Sequence, residues 1–412
     1  MSNFWDFSVW AWINTFAVLL GSLLVGNMLK RSIPFLRDSL TPTSVIGGII
    51  LLIVAAIYKA ITGDVMFDTA SFGANGTAHL EVITYHALAL GFIASSFKTT
   101  NSKLTGKRTA EIFNTGVTTV STYLLQGTLG LGITLICALV ISGFFPAAGV
   151  LLPFGYGQGT GQALNYGTIY EVEHGFIGGK SFGLTIAALG FLSASIGGVI
   201  HLNIMKKRGR IVLSKRSDGS THSEEVDPEG EIPLQESIDK FTVQVALIIV
   251  AYVSTYLLMF LLGNLVPGMR SVIYGFNFLL GVLTATIIKL VMNFLHKKQI
   301  IHRRYTNNFL MTRASNFFFD LMVVAGVAAI RLDILESSFS AFFLASASSA
   351  AFTSSTFGCA TTSSSSSSTM NIEANLCARE ATTGLTGVSF INSSHSCCEG
   401  IRQDLSVAYA AS

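Results

Sequence analysis

Charged side chains are scarce in this chain: aspartate, glutamate, lysine and arginine together make up 12% of its 412 residues. A soluble domain carries about twice that fraction. Half of the residues are hydrophobic, and apolar runs of roughly 18 or more residues recur along the chain. This composition excludes an ordinary soluble domain and predicts an all-α polytopic membrane protein. The net charge of +3 gives no sign of nucleic-acid binding, because the basic residues lie in loops between spans.

Familiar catalytic motifs are missing as well. The chain has no Gly-x-Ser-x-Gly, no His-Glu-x-x-His and no aspartate pair within a span, and its five cysteines show no zinc-binding spacing. We therefore do not expect an enzyme, a cofactor or a resident metal. The first residues lack a basic region and a small-residue cleavage site, so no removable signal peptide is expected.

Eight apolar segments are long enough to be membrane spans: 8–29, 43–61, 80–97, 112–144, 181–204, 241–266, 272–295 and 307–330. The fourth is long enough to tilt or to break near Gly127–Gly132. Lysine and arginine are absent from the loop 62–79 and abundant in the loop 205–240. By the positive-inside rule, the sequence predicts a cytoplasmic (inner) membrane protein with its N-terminus outside and the loop 205–240 inside.

The order of these segments predicts two inverted repeats, each with about five spans and one re-entrant hairpin. Residues 1–204 form the first membrane repeat, with its hairpin at 146–170, and residues 205–240 form a polar cytoplasmic linker. Residues 241–336 begin the second repeat, which is incomplete. Residues 337–412 are a low-complexity tail, serine-rich at Ser363–Ser368, that reads as a degraded or frameshifted end.

A glycine-studded segment, Leu152–Gly167, lies between apolar spans. Glycine at this density does not sustain a spanning helix, and broken backbone at membrane depth occurs only where protein buries it or a watery cavity adjoins it. Discontinuous segments of this kind indicate the binding site of a transporter. The candidate solute- and ion-binding residues are Gly155, Gly157, Gln158, Gly159, Thr160, Gly161, Gln162 and Asn165. The alternative is that the glycines only let helices pack closely.

Two polar residues in the eighth span complete the candidate site. Asp320 lies near the middle of that span, where a carboxylate is costly and usually faces a cavity or a partner. Asn316 lies one turn earlier, on the same helical face. Asp320 could bind sodium or a proton, or it could form a structural pair with a basic residue such as Lys289.

Two stretches of the chain resemble the bacterial sodium/glutamate symporter family. In residues 23–50, Pro42 and the pair Gly47–Gly48 match the family pattern, with Ser44 where a second proline is usual. In residues 155–163, the motif of Gly157, Gly159, Thr160 and Gly161 matches, with Gln158 where the family often has histidine.

This resemblance implies a secondary active transporter that carries glutamate or a related anionic amino acid together with sodium across the lipid bilayer. Sodium is then the coupling ion, and the transporter could form a homodimer. Two alternatives remain at this point: a passive channel with a re-entrant filter, and a non-functional transporter remnant with an altered tail.

Overall fold

The computed structural model describes residues 3–38, 41–99, 106–140, 144–207, 238–301 and 303–332. Within these ranges the chain is 85% helical and has no strand. Seven helices are long and apolar enough to cross a membrane, so the chain is an all-α, multi-pass membrane protein, as its composition predicts. The tail 337–412 and nearly all of the linker 205–240 lie outside the described residues, and the predicted repeat boundaries remain a prediction.

The described elements are twelve helices, which we label α1 to α12 in chain order. They are α1 Phe7–Ser32, α2 Pro34–Asp38, α3 Thr43–Thr62, α4 Gly76–Phe97, α5 Gly106–Val140, α6 Leu151–Gln158, α7 Thr160–His174, α8 Gly179–Lys207, α9 Lys240–Leu265, α10 Arg270–Gly275, α11 Asn277–Lys297 and α12 Asn308–Ala328. Short 3-10 turns occur at Met66–Asp68, Ala70–Phe72, Ala148–Val150 and Pro267–Met269.

Seven of the eight predicted spans coincide with helices that could cross a membrane. The remaining one, 181–204, lies within α8, whose described apolar segment Gly179–Ala194 is shorter than the others. Helix α5 runs without a break through Gly127–Gly132. The predicted span 272–295 is instead divided, because α10 ends at Gly275 and α11 begins at Asn277.

Some of these helices expose large apolar side chains and bury mainly small or polar ones. On α1, for example, Leu24 and Met28 are exposed, whereas Thr15, Ser22 and Gly26 are buried. This distribution suits lipid, because helices in a bilayer often associate through small residues and side-chain hydrogen bonds.

The described residues divide into two compact units. The first comprises the described parts of 1–84, 102–214 and 323–412. In it, α1 and α3 approach so closely that a β-carbon on Gly26 would lie 3.1 Å from the backbone nitrogen of Gly47. Helix α3 also contacts the end of α12, where a β-carbon on Gly48 would lie 2.6 Å from Val327 Cβ.

The second unit comprises the described parts of 85–101 and 215–322. Its apolar core joins four helices through Ile93, Ala94, Phe97, Ile248, Ala251, Ala285, Met311 and Ala314. A buried hydrogen bond of 2.6 Å between the hydroxyls of Thr255 and Thr284 ties α9 to α11. Paired hydroxyls of this kind satisfy polar groups that have no water available at membrane depth.

Candidate functional site

The candidate site is built on two short helices, α6 and α7, that meet at Gly159. Gly159 has φ 82° and ψ −168°, a backbone conformation that is essentially restricted to glycine. Its N–H still donates to the carbonyl of Gly155 at 3.3 Å, and its own carbonyl accepts from Ala163 N at 3.2 Å. The chain thus ends one helix and starts the next within a single residue, and that residue is buried.

The glycines of α6 allow neighbouring helices to come close. A β-carbon on Gly155 would lie 2.5 Å from Ile186 Cγ2 on α8, and one on Gly157 would overlap the ring of Tyr123 on α5. The Tyr123 hydroxyl donates to the carbonyl of Gly157 at 2.9 Å. Gly155 and Gly157 therefore allow close helix packing, which was the alternative considered from the sequence. Their role in binding remains a prediction. Gln158, the last residue of α6, is half-buried.

Helices α6 and α7 also pack directly against each other. The rings of Phe154 on α6 and Tyr166 on α7 stack with their centroids 3.8 Å apart. Helix α7 then packs along α8, where a β-carbon on Gly167 would lie 2.5 Å from the carbonyl oxygen of Gly179. These contacts fix the angle at which α7 leaves Gly159, so its first turn has a defined position in this unit.

The first turn of α7 is buried and polar. Thr160, Gly161, Gln162 and Asn165 all lie on it or on the next turn, and Gln162 is 0% exposed. The first N–H groups of a helix have no partner within that helix and carry a partial positive charge. Both side-chain polar atoms of Gln162, Nε2 and Oε1, are without a hydrogen-bond partner among the described residues. Buried polar groups are almost always paired, so an unpaired amide here requires an explanation.

Three residues of this unit were not among those predicted from the sequence: Gly326, Tyr123 and Gln126. A β-carbon on Gly326, near the end of α12, would lie 2.7 Å from Thr160 Cβ, so α12 closes over the start of α7. Gln126 of α5 is 2% exposed, and its Oε1 has no partner among the described residues. Gly326 is a small residue within an apolar helix, and such residues often occur where two helices pack closely. Tyr123 and Gln126 carry no comparable signal in the sequence.

Asn316 and Asp320 belong to the second unit, on α12. Both side chains are exposed, on the same face of the helix, one turn apart. Lys289, the partner considered for Asp320, directs its ammonium group to the backbone carbonyls of Ser96 and Lys98 at the end of α4. A lysine at this position stabilises the carbonyl end of the helix.

The described residues of the first unit include two ion pairs, one at the start of α8 and one after the end of α12. Lys180 pairs with Glu81 at 2.9 Å, and the backbone N–H of Lys180, at the start of α8, donates to Glu171 at 3.2 Å. Arg331 pairs with Asp68 at 3.6 Å. In the described part of the chain, no group of three or more histidine, cysteine, aspartate or glutamate side chains could hold a metal ion.

Comparison with known proteins adds no relative: no family model, no curated protein and no solved structure matches this chain.

Proposed function

We propose that this chain is a secondary active transporter that carries glutamate or a related anionic amino acid together with sodium, and that the junction of α6 and α7 binds the solute. The proposal rests on the discontinuous helix within an apolar, multi-pass chain and on the resemblance of two stretches to the sodium/glutamate symporter family. Discontinuous helices of this kind form the solute and ion sites of many secondary transporters.

The junction brings together opposite ends of two helices. The carbonyl end of α6 carries a partial negative charge and the N–H end of α7 a partial positive charge, and both meet at Gly159. The N–H end suits a carboxylate, whereas the carbonyl end suits sodium, a hard cation that prefers oxygen. One short segment therefore offers a surface to both components of a symported pair.

The observation that carries the proposal is the unpartnered amide of Gln162. A buried amide that makes no hydrogen bond costs about 1–3 kcal/mol for each group left unsatisfied. A ligand, an ion or an ordered water is one recognised explanation for such a group. Gln162 lies three residues beyond Gly159, on the turn whose N–H groups face the same junction. A bound solute would supply the missing partners.

Uptake measurements test this function directly. The full-length chain in proteoliposomes should accumulate labelled glutamate when sodium is high outside, and not when potassium replaces sodium. Liposomes without protein give the background, and a sodium gradient that is dissipated with an ionophore gives the matched control. Equal uptake in sodium and potassium would favour a passive pore, and no uptake in either would favour a remnant; either result contradicts the proposal.

A further inference from the structure

Two fully buried glutamines in this protein have opposite hydrogen-bonding environments. Gln244 on α9 is 0% exposed, and its Nε2 donates to the carbonyls of Lys240 at 3.3 Å and Tyr305 at 2.7 Å. Its Oε1 accepts from the backbone N–H of Asn307 at 3.0 Å. Gln162 is equally buried, yet neither end of its amide has a partner among the described residues. Exchanging the nitrogen and oxygen assignments of Gln162 would not change this, because both positions are unpartnered.

The chemistry of the amide defines what would complete it. A carboxamide has two N–H donors and one accepting oxygen, so a ligand that satisfies Gln162 must offer both an acceptor and a donor. A carboxylate alone would leave Oε1 unsatisfied, and an ammonium alone would leave Nε2 unsatisfied. The ammonium and carboxylate of an α-amino acid offer a donor and an acceptor at short distance from each other, and so meet both needs.

The charges around the junction favour the same ligand. Between Phe144 and Tyr170 the sequence contains no aspartate, glutamate, lysine, arginine or histidine. An uncompensated ion is costly in a buried site, whereas a zwitterion has no net charge. The partial positive charge at the start of α7 adds a preference for the carboxylate half. The hairpin can therefore hold an α-amino acid head group without a charged side chain of its own.

We propose that Gln162 is the recognition residue for the zwitterionic α-amino acid group: Oε1 accepts from the ammonium, and Nε2 donates to the carboxylate. This inference rests on the proposed function and deepens it, because it assigns recognition of the head group of the solute, as distinct from its side chain, to Gln162. Glutamine, which shares that pair, binds this site as glutamate does. Glutarate, which has two carboxylates and no ammonium, does not bind.

Thermal unfolding of the full-length chain in lipid nanodiscs with sodium tests the inference. Glutamate and glutamine should raise the melting temperature, whereas glutarate and N-acetylglutamate should leave it unchanged. This ligand series needs only the wild-type chain, so it tests the inference even if a variant does not fold. A melting temperature raised as much by glutarate as by glutamate would overturn the role of the ammonium while leaving a carboxylate transporter intact.

Two matched variants separate recognition from structure. Gln162→Leu removes an amide that has no partner among the described residues, so the melting temperature without ligand should stay the same or rise, and the response to glutamate should be lost. Gln244→Leu strands the carbonyl of Tyr305 and the N–H of Asn307, so it should lower the melting temperature and keep the response. If glutamate still raises the melting temperature of the Gln162→Leu chain, the inference about Gln162 is wrong, but the proposed function is not affected. If no compound stabilises the wild type and sodium drives no uptake, the proposed function fails as well.

Discussion

Gly326 lies directly against Thr160, so that the end of α12 covers the first turn of α7. A β-carbon at position 326 would lie 2.7 Å from Thr160 Cβ and 3.0 Å from its hydroxyl oxygen. Thr160 is 0% exposed and therefore has little room to move away. The shape of the candidate site thus depends on the absence of a side chain on a helix that is distant in sequence.

Gly326→Ala should therefore destabilise the chain and distort the start of α7. Overpacking of a well-packed site costs about 1–3 kcal/mol. We expect a lower melting temperature and a weaker response to glutamate. Gly21→Ala is the matched control, because a β-carbon at Gly21 on α1 meets nothing within 4 Å. Alanine is a better helix former than glycine by up to about 1 kcal/mol, so this control should be neutral or stabilising. Equal effects of the two variants would contradict the contact.

Long apolar runs made the helices of this protein predictable. A span of the bilayer needs about 20 apolar residues, and such runs leave a strong signal in the sequence. The division between α10 and α11 was not predicted, because Arg270–Lys297 contains an apolar run that hides the break at Phe276. Apolar composition specifies that a segment can span but gives no information on local backbone angles.

The candidate site was predictable only in part, for a related reason. The density of glycine predicted a break within Leu152–Gly167. It did not identify the glycine with a positive φ, because any of the glycines in this segment can adopt that conformation. In the structure Gly159 does, whereas Gly155 and Gly157 pack within helix α6 against other helices. Contacts such as that between Thr160 and Gly326 join residues far apart in sequence, so no local pattern reveals them. The unpartnered state of Gln162 likewise depends on everything that surrounds it in space.

Asp320→Asn should weaken the sodium dependence of glutamate uptake. The carboxylate lies on the exposed face of α12, and an amide oxygen binds a hard cation less well than a charged carboxylate. We expect the sodium concentration for half-maximal uptake to rise by roughly tenfold, which corresponds to about 1.4 kcal/mol. Asp64→Asn, at an exposed position after α3, is the control and should leave the sodium concentration for half-maximal uptake unchanged. An unaltered sodium dependence in Asp320→Asn would assign the carboxylate to packing or pairing.

Cysteine labelling tests the predicted orientation in the membrane. In a chain whose five native cysteines are replaced, a cysteine at the exposed position Asn75 should react with a membrane-impermeant reagent in intact cells. A cysteine at the exposed position Ile300 lies in the loop 296–306, which is rich in lysine and arginine, and should react only after the membrane is opened. The reverse pattern of labelling would show that the N-terminus is inside.

Gly159→Val should abolish the stabilisation of the chain by glutamate and sodium while the chain still inserts. Insertion depends on the flanking apolar helices, which this substitution leaves intact. At φ 82° and ψ −168° a β-branched residue is strained by about 1–3 kcal/mol, so the junction between α6 and α7 must change its backbone. A changed junction would lose the arrangement of the first N–H groups of α7 and the amide of Gln162 on which the proposed site depends.

Gly63→Val is the matched control for that substitution, because Gly63 also has a positive φ, 83°, and a β-carbon there meets nothing within 4 Å. It should lower the melting temperature through backbone strain at the end of α3 and leave the response to glutamate intact. The decisive quantity is the difference in melting temperature with and without glutamate and sodium, measured for the wild type and both variants. Because strain alone lowers stability at either glycine, only the loss of that difference at position 159 assigns the junction to binding. A Gly159→Val chain that keeps the difference would reduce Gly159 to a packing residue, whatever its baseline stability.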